Sequence, residues 1–208
     1  MNNAIIFAGG EITGFDLKEF NILDKKIICV DKGLEFAINN NITIHVLIGD
    51  FDSVNKIYLE EIKKNKLEIK TYNSDKDMSD LQLAFEYCVN NNIDKIDLFG
   101  ATGGRIDHSL SNIYLLKKYA QKGLDIRIIN SNNIVRYINK DTQIKKSDWY
   151  FSILPTNEEC IFSLTGAKWN LTNYKLEYGS THTVSNRFEN DLNIKIIKGD
   201  MYLILSRD

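Results

Sequence analysis

The chain has almost no excess charge of either sign: 26 Lys and Arg against 28 Asp and Glu leave a formal net charge of −2 over 208 residues. That balance excludes a protein held to nucleic acid or a membrane surface by a broad basic patch. Any phosphate it binds must be held locally, by backbone donors, a few cations or a metal. Long apolar runs are also missing, none approaching the ~18 residues needed to span a bilayer. The first residues, MNNAIIFAGGEITG, carry no basic segment and no long apolar core, so no signal peptide is expected. Cysteine is scarce: Cys29, Cys88 and Cys160 are odd in number and far apart. The first two fall inside apolar patterns, which favours buried free thiols over a disulfide framework. Together these absences point to the cytoplasm. What remains is 43% apolar and 26% charged, the composition of a globular chain long enough for one large or two small domains.

Up to about residue 130, short apolar runs alternate with amphipathic stretches. The candidate strands cover residues 4–8, 26–30, 45–48, 67–71, 95–99 and 125–129. They are continuous runs, the pattern of strands buried on both faces. Between them, Leu81, Ala84, Phe85 and Cys88 stand at helical spacing, as do Ile106, Leu110, Ile113, Leu116 and Ala120. The alternation predicts a mostly parallel sheet flanked by helices, with ligands beyond the carboxyl ends of its strands. After about residue 133 the rhythm changes to short strands at 149–154, 159–164, 169–171, 175–178, 192–197 and 201–205, separated by turn residues. That half holds the only proline, Pro155, and reads as a small antiparallel β domain. The boundary is expected near 131–145.

Acids and glycines fall just after the predicted strands. Gly49-Asp50-Phe51-Asp52-Ser53 follows the third, and two carboxylates two residues apart in a loop can face one cation. Hard oxygen ligands suit Mg2+, which takes one or two carboxylates and completes its shell with water and substrate phosphates. The plainer alternative is that Asp52 or Ser53 caps the next helix. Asp75-Lys76-Asp77-Met78-Ser79-Asp80 follows the fourth strand, where a helix dipole also favours acids. Gly100-Ala101-Thr102-Gly103-Gly104-Arg105-Ile106-Asp107-His108 follows the fifth. A glycine-rich turn opening a helix lets backbone N–H groups approach phosphate, and Arg105 can grip two phosphate oxygens at once. It is neither a P-loop nor a dinucleotide fingerprint. Asp31 ends the second strand. Carboxylates gathered on one rim repel unless a cation neutralises them, so a metal with a nucleotide is the economical reading.

These motifs, in this order and spacing, resemble the thiamine pyrophosphokinase family along nearly the whole chain. The matching stretches are the Asp31 strand end, Gly49-Asp50-Phe51-Asp52-Ser53-Val54, Asp77-Met78-Ser79-Asp80 and the run from Gly103 to His108. In the second half, Leu164-Thr165-Gly166-Ala167-Lys168-Trp169-Asn170-Leu171 and Val184-Ser185-Asn186 look like the family's thiamine-binding domain. One departure is Asp31-Lys32-Gly33 where the family usually has Asp-Gly-Gly, which leaves Lys32 facing either phosphate or solvent.

The resemblance implies an N-terminal, mostly parallel α/β nucleotide-binding domain (1–132) followed by a small antiparallel β-sandwich domain (140–208). It implies an enzyme moving the pyrophosphoryl group of ATP onto the thiamine hydroxyl, giving thiamine diphosphate and AMP. Mg2+ would be held by Asp50, Asp52 and Asp77, and ATP by Asp31, Gly103, Gly104, Arg105 and Asp107. Asp50, Asp52, Asp80 and Arg105 would form the catalytic set. Thiamine would meet Asp80, Ser185, Asn186 and an aromatic wall, for which Tyr202 is the candidate. The two tryptophans, Trp149 and Trp169, are expected in strands, as core. A homodimer with the active site between subunits is implied, without nucleic acid or membrane. Two alternatives stand beside this reading. One is a pyrophosphokinase for another alcohol, such as a hydroxymethylpterin; the other is a non-catalytic nucleotide- or thiamine-binding regulator.

Overall fold

The computed structural model describes residues 2–14, 17–50, 54, 57–58, 68–71 and 78–208. The chain divides into two compact units, Met1–Ser131 and Asn132–Asp208. Among the described residues, no helix is long and apolar enough to cross a membrane.

In the first unit, six strands form a parallel sheet: β1 (Asn3–Phe7), β2 (Lys26–Val30), β3 (Val46–Gly49), β4 (Glu68–Thr71), β5 (Lys95–Phe99) and β6 (Asp125–Ile129). Their order is β6-β5-β1-β2-β3-β4, with every neighbouring pair parallel. Ala4 to Phe7 and Ile27 to Val30 are buried without a break, as strands covered on both faces must be. The order reverses between β1 and β5, so the chain leaves those two strands in opposite lateral directions and opens a crevice at their carboxyl ends.

Three α-helices lie among the described residues of this unit: α1 (Gly33–Asn39), α2 (Asp80–Asn90) and α3 (Ile106–Ala120). The Ser79 side chain caps α2 by accepting the Gln82 amide, and Leu81, Ala84, Phe85 and Cys88 form its buried face as their spacing predicts. Helix α3 departs from its pattern. Leu116 and Tyr119 are buried, whereas Ile106 is 73% and Leu110 45% exposed. Helical spacing makes an apolar stripe, but among the described residues only the second half of this one is buried.

One buried acid was not singled out by its sequence context. Asp97, in β5 and 5% exposed, accepts hydrogen bonds from Lys25 Nζ at 2.6 Å and Arg127 Nε at 2.7 Å. Removing the carboxylate strands two cations on a covered sheet face. Asp97→Ala is expected to cost about 3 kcal/mol of stability, near the low end for a broken buried pair because Arg127 can rehydrate. Urea melts of the two proteins measure it, and an unchanged midpoint would contradict the assignment. Beside β3, His45 accepts the Ile27 amide through Nδ1, and burial and then Lys26 hold its pKa below the usual imidazole value. Cys29, Cys88 and Cys160 are free and buried, and desolvation pushes the Cys88 thiol up to about 12 and Cys160 to about 11.

The second unit contains β7 (Asn133–Ile138), β8 (Thr142–Ile144), β9 (Tyr150–Pro155), β10 (Glu159–Ala167), β11 (Leu171–Glu177), β12 (Asn186–Lys198) and β13 (Met201–Ser206). Pairing is antiparallel throughout, in the order β11-β10-β12-β9-β13-β7, with β8 also on β12. Phe151, Ile153, Phe162, Leu164, Leu176, Leu192, Ile194, Met201 and Leu203 close one apolar core. From Glu159 to Thr165 burial along β10 alternates residue by residue, the signature of a strand with one wet face.

Two sequence expectations change here. The separate strands expected at 169–171 and 175–178 are the single strand β11. A bulge at Asn173, left-handed at φ 47° and bonded to Ser163 Oγ at 2.9 Å, breaks its period-two pattern. Neither tryptophan is in a strand: Trp149 precedes β9, and Trp169 sits in the turn between β10 and β11.

Candidate functional site

The carboxyl ends of the parallel strands carry the predicted acids. Asp31 follows β2 in the left-handed region (φ 46°), which costs an L-residue about 1–2 kcal/mol. It is fixed by its amide donating to Ile48 O at 3.2 Å and its carbonyl accepting from Leu34 N at 3.1 Å. Strain held by the surrounding backbone is typical of ligand-facing positions. Lys32, the departure from the family pattern, is exposed. Asp50 is exposed directly beyond β3, and Asp80, half-buried, is the first residue of α2. A helix after a parallel strand runs back along the sheet, so the head of α2 lies on the same rim. Asp52 and Asp77 lie outside the described residues. Among the described residues no three His, Cys, Asp or Glu side chains gather into a metal-holding group.

At the switch point, the loops after β1 and β5 are joined by backbone. Ala8 N donates to Phe99 O and Gly10 N to Gly100 O, both at 2.8 Å. Gly100 has φ 70°, and a Cβ there would stand 2.4 Å from Ala8 O. Gly33 is tighter, with an added Cβ 1.9 Å from Phe7 O. These glycines are needed by the fold. Gly104 is different: a Cβ would meet nothing within 4 Å and its φ lies outside the left-handed region. Nothing in the chain demands glycine there, whereas a ligand lying against the backbone would.

The turn is braced before any ligand arrives. Asn112 Nδ2 donates to Ala101 O at 2.8 Å, Asn130 Nδ2 to Thr102 Oγ1 at 2.9 Å, and Gly103 N to Ser109 Oγ at 3.2 Å. Arg105 and Asp107 then project into solvent at the head of α3, 69% and 65% exposed in their side chains. They face each other as a fork, Nε to Oδ1 at 3.2 Å and Nη2 to Oδ2 at 2.5 Å. The Arg105 hydrogen bond holds the Asp107 carboxyl at about 2. An exposed pair of this kind adds little to the fold. A rigid turn, a helix N-terminus and a planar cation together can hold an anionic chain of phosphates.

The second unit has its own concavity, about 320 Å³, lined by Trp169, Leu171, His182, Thr183, Val184 and Asn186. That is the small end of small-molecule sites. Trp169 is 54% exposed, with Lys168 Nζ 4.8 Å from its ring centre. His182 is stacked on Tyr174 at 5.2 Å. Thr183, buried, donates to Ile153 O at 2.6 Å, and Ser152 Oγ accepts the Ser185 amide at 3.0 Å. Ser185 is exposed and left-handed at φ 60°. Asn186 is 5% exposed at the head of β12. Aromatic rings above a polar floor suit a flat, electron-poor ring system.

Tyr202, the expected aromatic wall, is 8% exposed on β13 with its ring 6.2 Å from Tyr137, and it is not among the residues lining this concavity. The exposed ring is Trp169, read from sequence as core. A tryptophan between Lys168 and Asn170, where strand alternation stops, was the available signal.

Residues 18–128 match the family model "Thiamin pyrophosphokinase, catalytic domain", and residues 138–199 match "Thiamin pyrophosphokinase, vitamin B1 binding domain". The thiamine pyrophosphokinase of Bacillus subtilis (strain 168) is 33% identical over 186 residues, 87% of each chain. Thiamin pyrophosphokinase 1 of Caenorhabditis elegans is 26% identical, covering 68% of this chain and 61% of that one. The crystal structure of the Bacillus subtilis enzyme matches with a TM-score of 0.91 at 31% identity, over 99% of both chains. That of Geobacillus thermodenitrificans thiamin pyrophosphokinase matches at 0.88 and 28%, over 99% and 98%.

Proposed function

The chain belongs to the thiamine pyrophosphokinase family, and we propose that residues 1–132 hold ATP and Mg2+ while residues 140–208, a small β-sandwich, hold thiamine. It is an ATP-dependent thiamine diphosphokinase. The vitamin B1 binding domain in its second half leaves no place for a pterin alcohol as the acceptor. The observation that carries the nucleotide assignment is the braced turn with a glycine, Gly104, that the fold itself does not require.

In this reading Gly103 and Gly104 let the phosphate chain lie against the backbone, and Asp31 holds the nucleotide's outer part. Asp50 fits a hard cation: it is an exposed carboxylate directly beyond β3, and Asp52 and Asp77 complete the expected donor set. When bound, Mg2+ supplies charge neutralisation along the phosphates. The thiamine hydroxyl attacks the β-phosphorus of ATP. The new O–P bond forms as the bridge to the α-phosphate breaks, and AMP leaves. Arg105 turns its fork from Asp107 toward the charge developing on the leaving oxygen. Asp80 orients the hydroxyl and takes its proton. Little of that transfer is needed early, because phosphoryl transition states are loose.

A homodimer belongs to the same proposal, with the active site completed between subunits. The exposed stripe of Ile106, Leu110 and Tyr114 on α3 is apolar surface that a second copy would cover. Sedimentation at assay concentration giving a single-chain mass would overturn it. Free, buried cysteines fit a reducing compartment, so the cytoplasm is the proposed location.

The product tests the reaction. Incubation with ATP, Mg2+ and thiamine should yield AMP one-for-one with thiamine diphosphate. ADP together with thiamine monophosphate would make the chain an ordinary kinase and overturn the β-phosphorus assignment.

A further inference from the structure

Both backbone polar groups of Trp169 are held by one side chain. Its turn leaves β10 at Ala167 and enters β11 at Leu171, and a half-exposed indole on three connecting residues has little packing of its own. The backbone of that turn is held from below. Asn186 Oδ1 accepts the Trp169 amide at 3.2 Å, and Asn186 Nδ2 donates to the Trp169 carbonyl at 2.9 Å. The same Oδ1 accepts the Arg187 amide at 2.8 Å. Asn170 Oδ1 closes the turn from within by accepting the Ala167 amide at 3.0 Å.

An asparagine offers two acceptor sites and two donor hydrogens. At Asn186 both acceptor sites and one donor are spent on backbone, and the side chain is nearly inaccessible. It is therefore built to grip the protein and has little left to offer a ligand. We propose that Asn186 is a positioning residue for the thiamine half of the site, acting through Trp169 by pinning both backbone polar groups of that residue. This rests on reading the concavity of the second unit as the seat of thiamine.

A mutant cycle on the full-length enzyme separates this role from direct contact. Asn186→Ala should raise the KM for thiamine roughly tenfold, as two neutral hydrogen bonds are lost, while the KM for ATP stays within about twofold. Trp169→Ala should raise it about thirtyfold, the scale of a lost stacking partner. The double variant should be no worse than Trp169→Ala alone. In a Trp149→Phe background, where Trp169 is the remaining indole, Asn186→Ala should also lower its fluorescence anisotropy and increase acrylamide quenching. If the two losses multiply to about three-hundredfold, Asn186 touches the substrate itself and the positioning role is wrong. If Trp169→Ala leaves the thiamine KM unchanged, the concavity is not the thiamine seat and both readings fall. Should Asn186→Ala melt early, Asn186→Asp keeps the side chain's size and its acceptor while replacing the donor to the Trp169 carbonyl by a carboxylate oxygen that repels it. The same non-additivity with Trp169→Ala is then required.

Discussion

Asp50→Asn and Asp52→Asn should each lower turnover at least about a hundredfold, the scale of several kcal/mol lost when a metal-held electrostatic interaction is removed. The amide keeps the shape of the side chain and removes its charge, so the loss reads the cation and not the packing. Asp50 stands exposed beyond β3, where a neutral side chain is equally well solvated, and its variant should melt with the wild type. Asp52 carries the same expectation on its two-residue spacing from Asp50. Measured at limiting Mg2+, near-full turnover in either variant would show that the residue holds no metal. A partial rescue at high Mg2+ would mark a weakened site.

Arg105→Ala should cost roughly a hundred- to a thousandfold in kcat/KM, the usual loss for one donor aimed at developing charge. The pair it forms with Asp107 is exposed on both sides, so thermal stability should hardly change. Arg105→Lys should recover only part of the rate, because an ammonium cannot reproduce the planar fork. With the Asp107 carboxyl held at about 2, the pair does not titrate near neutrality, and the pH profile of the Ala variant should keep its shape. Wild-type rates in Arg105→Ala would leave the braced turn as a structural device.

The sheet of the first unit was legible because strands buried on both faces leave continuous apolar runs, and helix α2 because its face is covered by its own chain. The same periodicity misled at Ile106 and Leu110, since spacing records an apolar stripe and not what covers it. In the second unit the Asn173 bulge made one strand look like two. Of the residues singled out, Asp31, Asp50, Gly100, Gly103 and Gly104 do follow strands as their sequence positions implied. Trp169 was missed, because its exposure comes with a turn bonded to Asn186, seventeen residues further on, and only the break in alternation beside it hinted at that. So was Asp97, whose partners Lys25 and Arg127 come from opposite ends of the unit.

The close backbone approaches at Gly33 and Gly100 bear on any mutational scan of this enzyme. Both positions flank the crevice at the carboxyl ends of the parallel strands, and substitutions there should score as inactive beside Asp50 and Arg105. Their failure has another origin. A methyl group at residue 33 would have to occupy the space of the Phe7 carbonyl, and backbone cannot step aside as a rotamer can. Such variants should be lost from cells as protein, through degradation of chains that do not complete the sheet. Variants at Asp50 and Arg105 should accumulate at normal abundance and fail only in the assay. Pairing each activity score with the amount of soluble protein therefore separates two classes of intolerant position on the same rim.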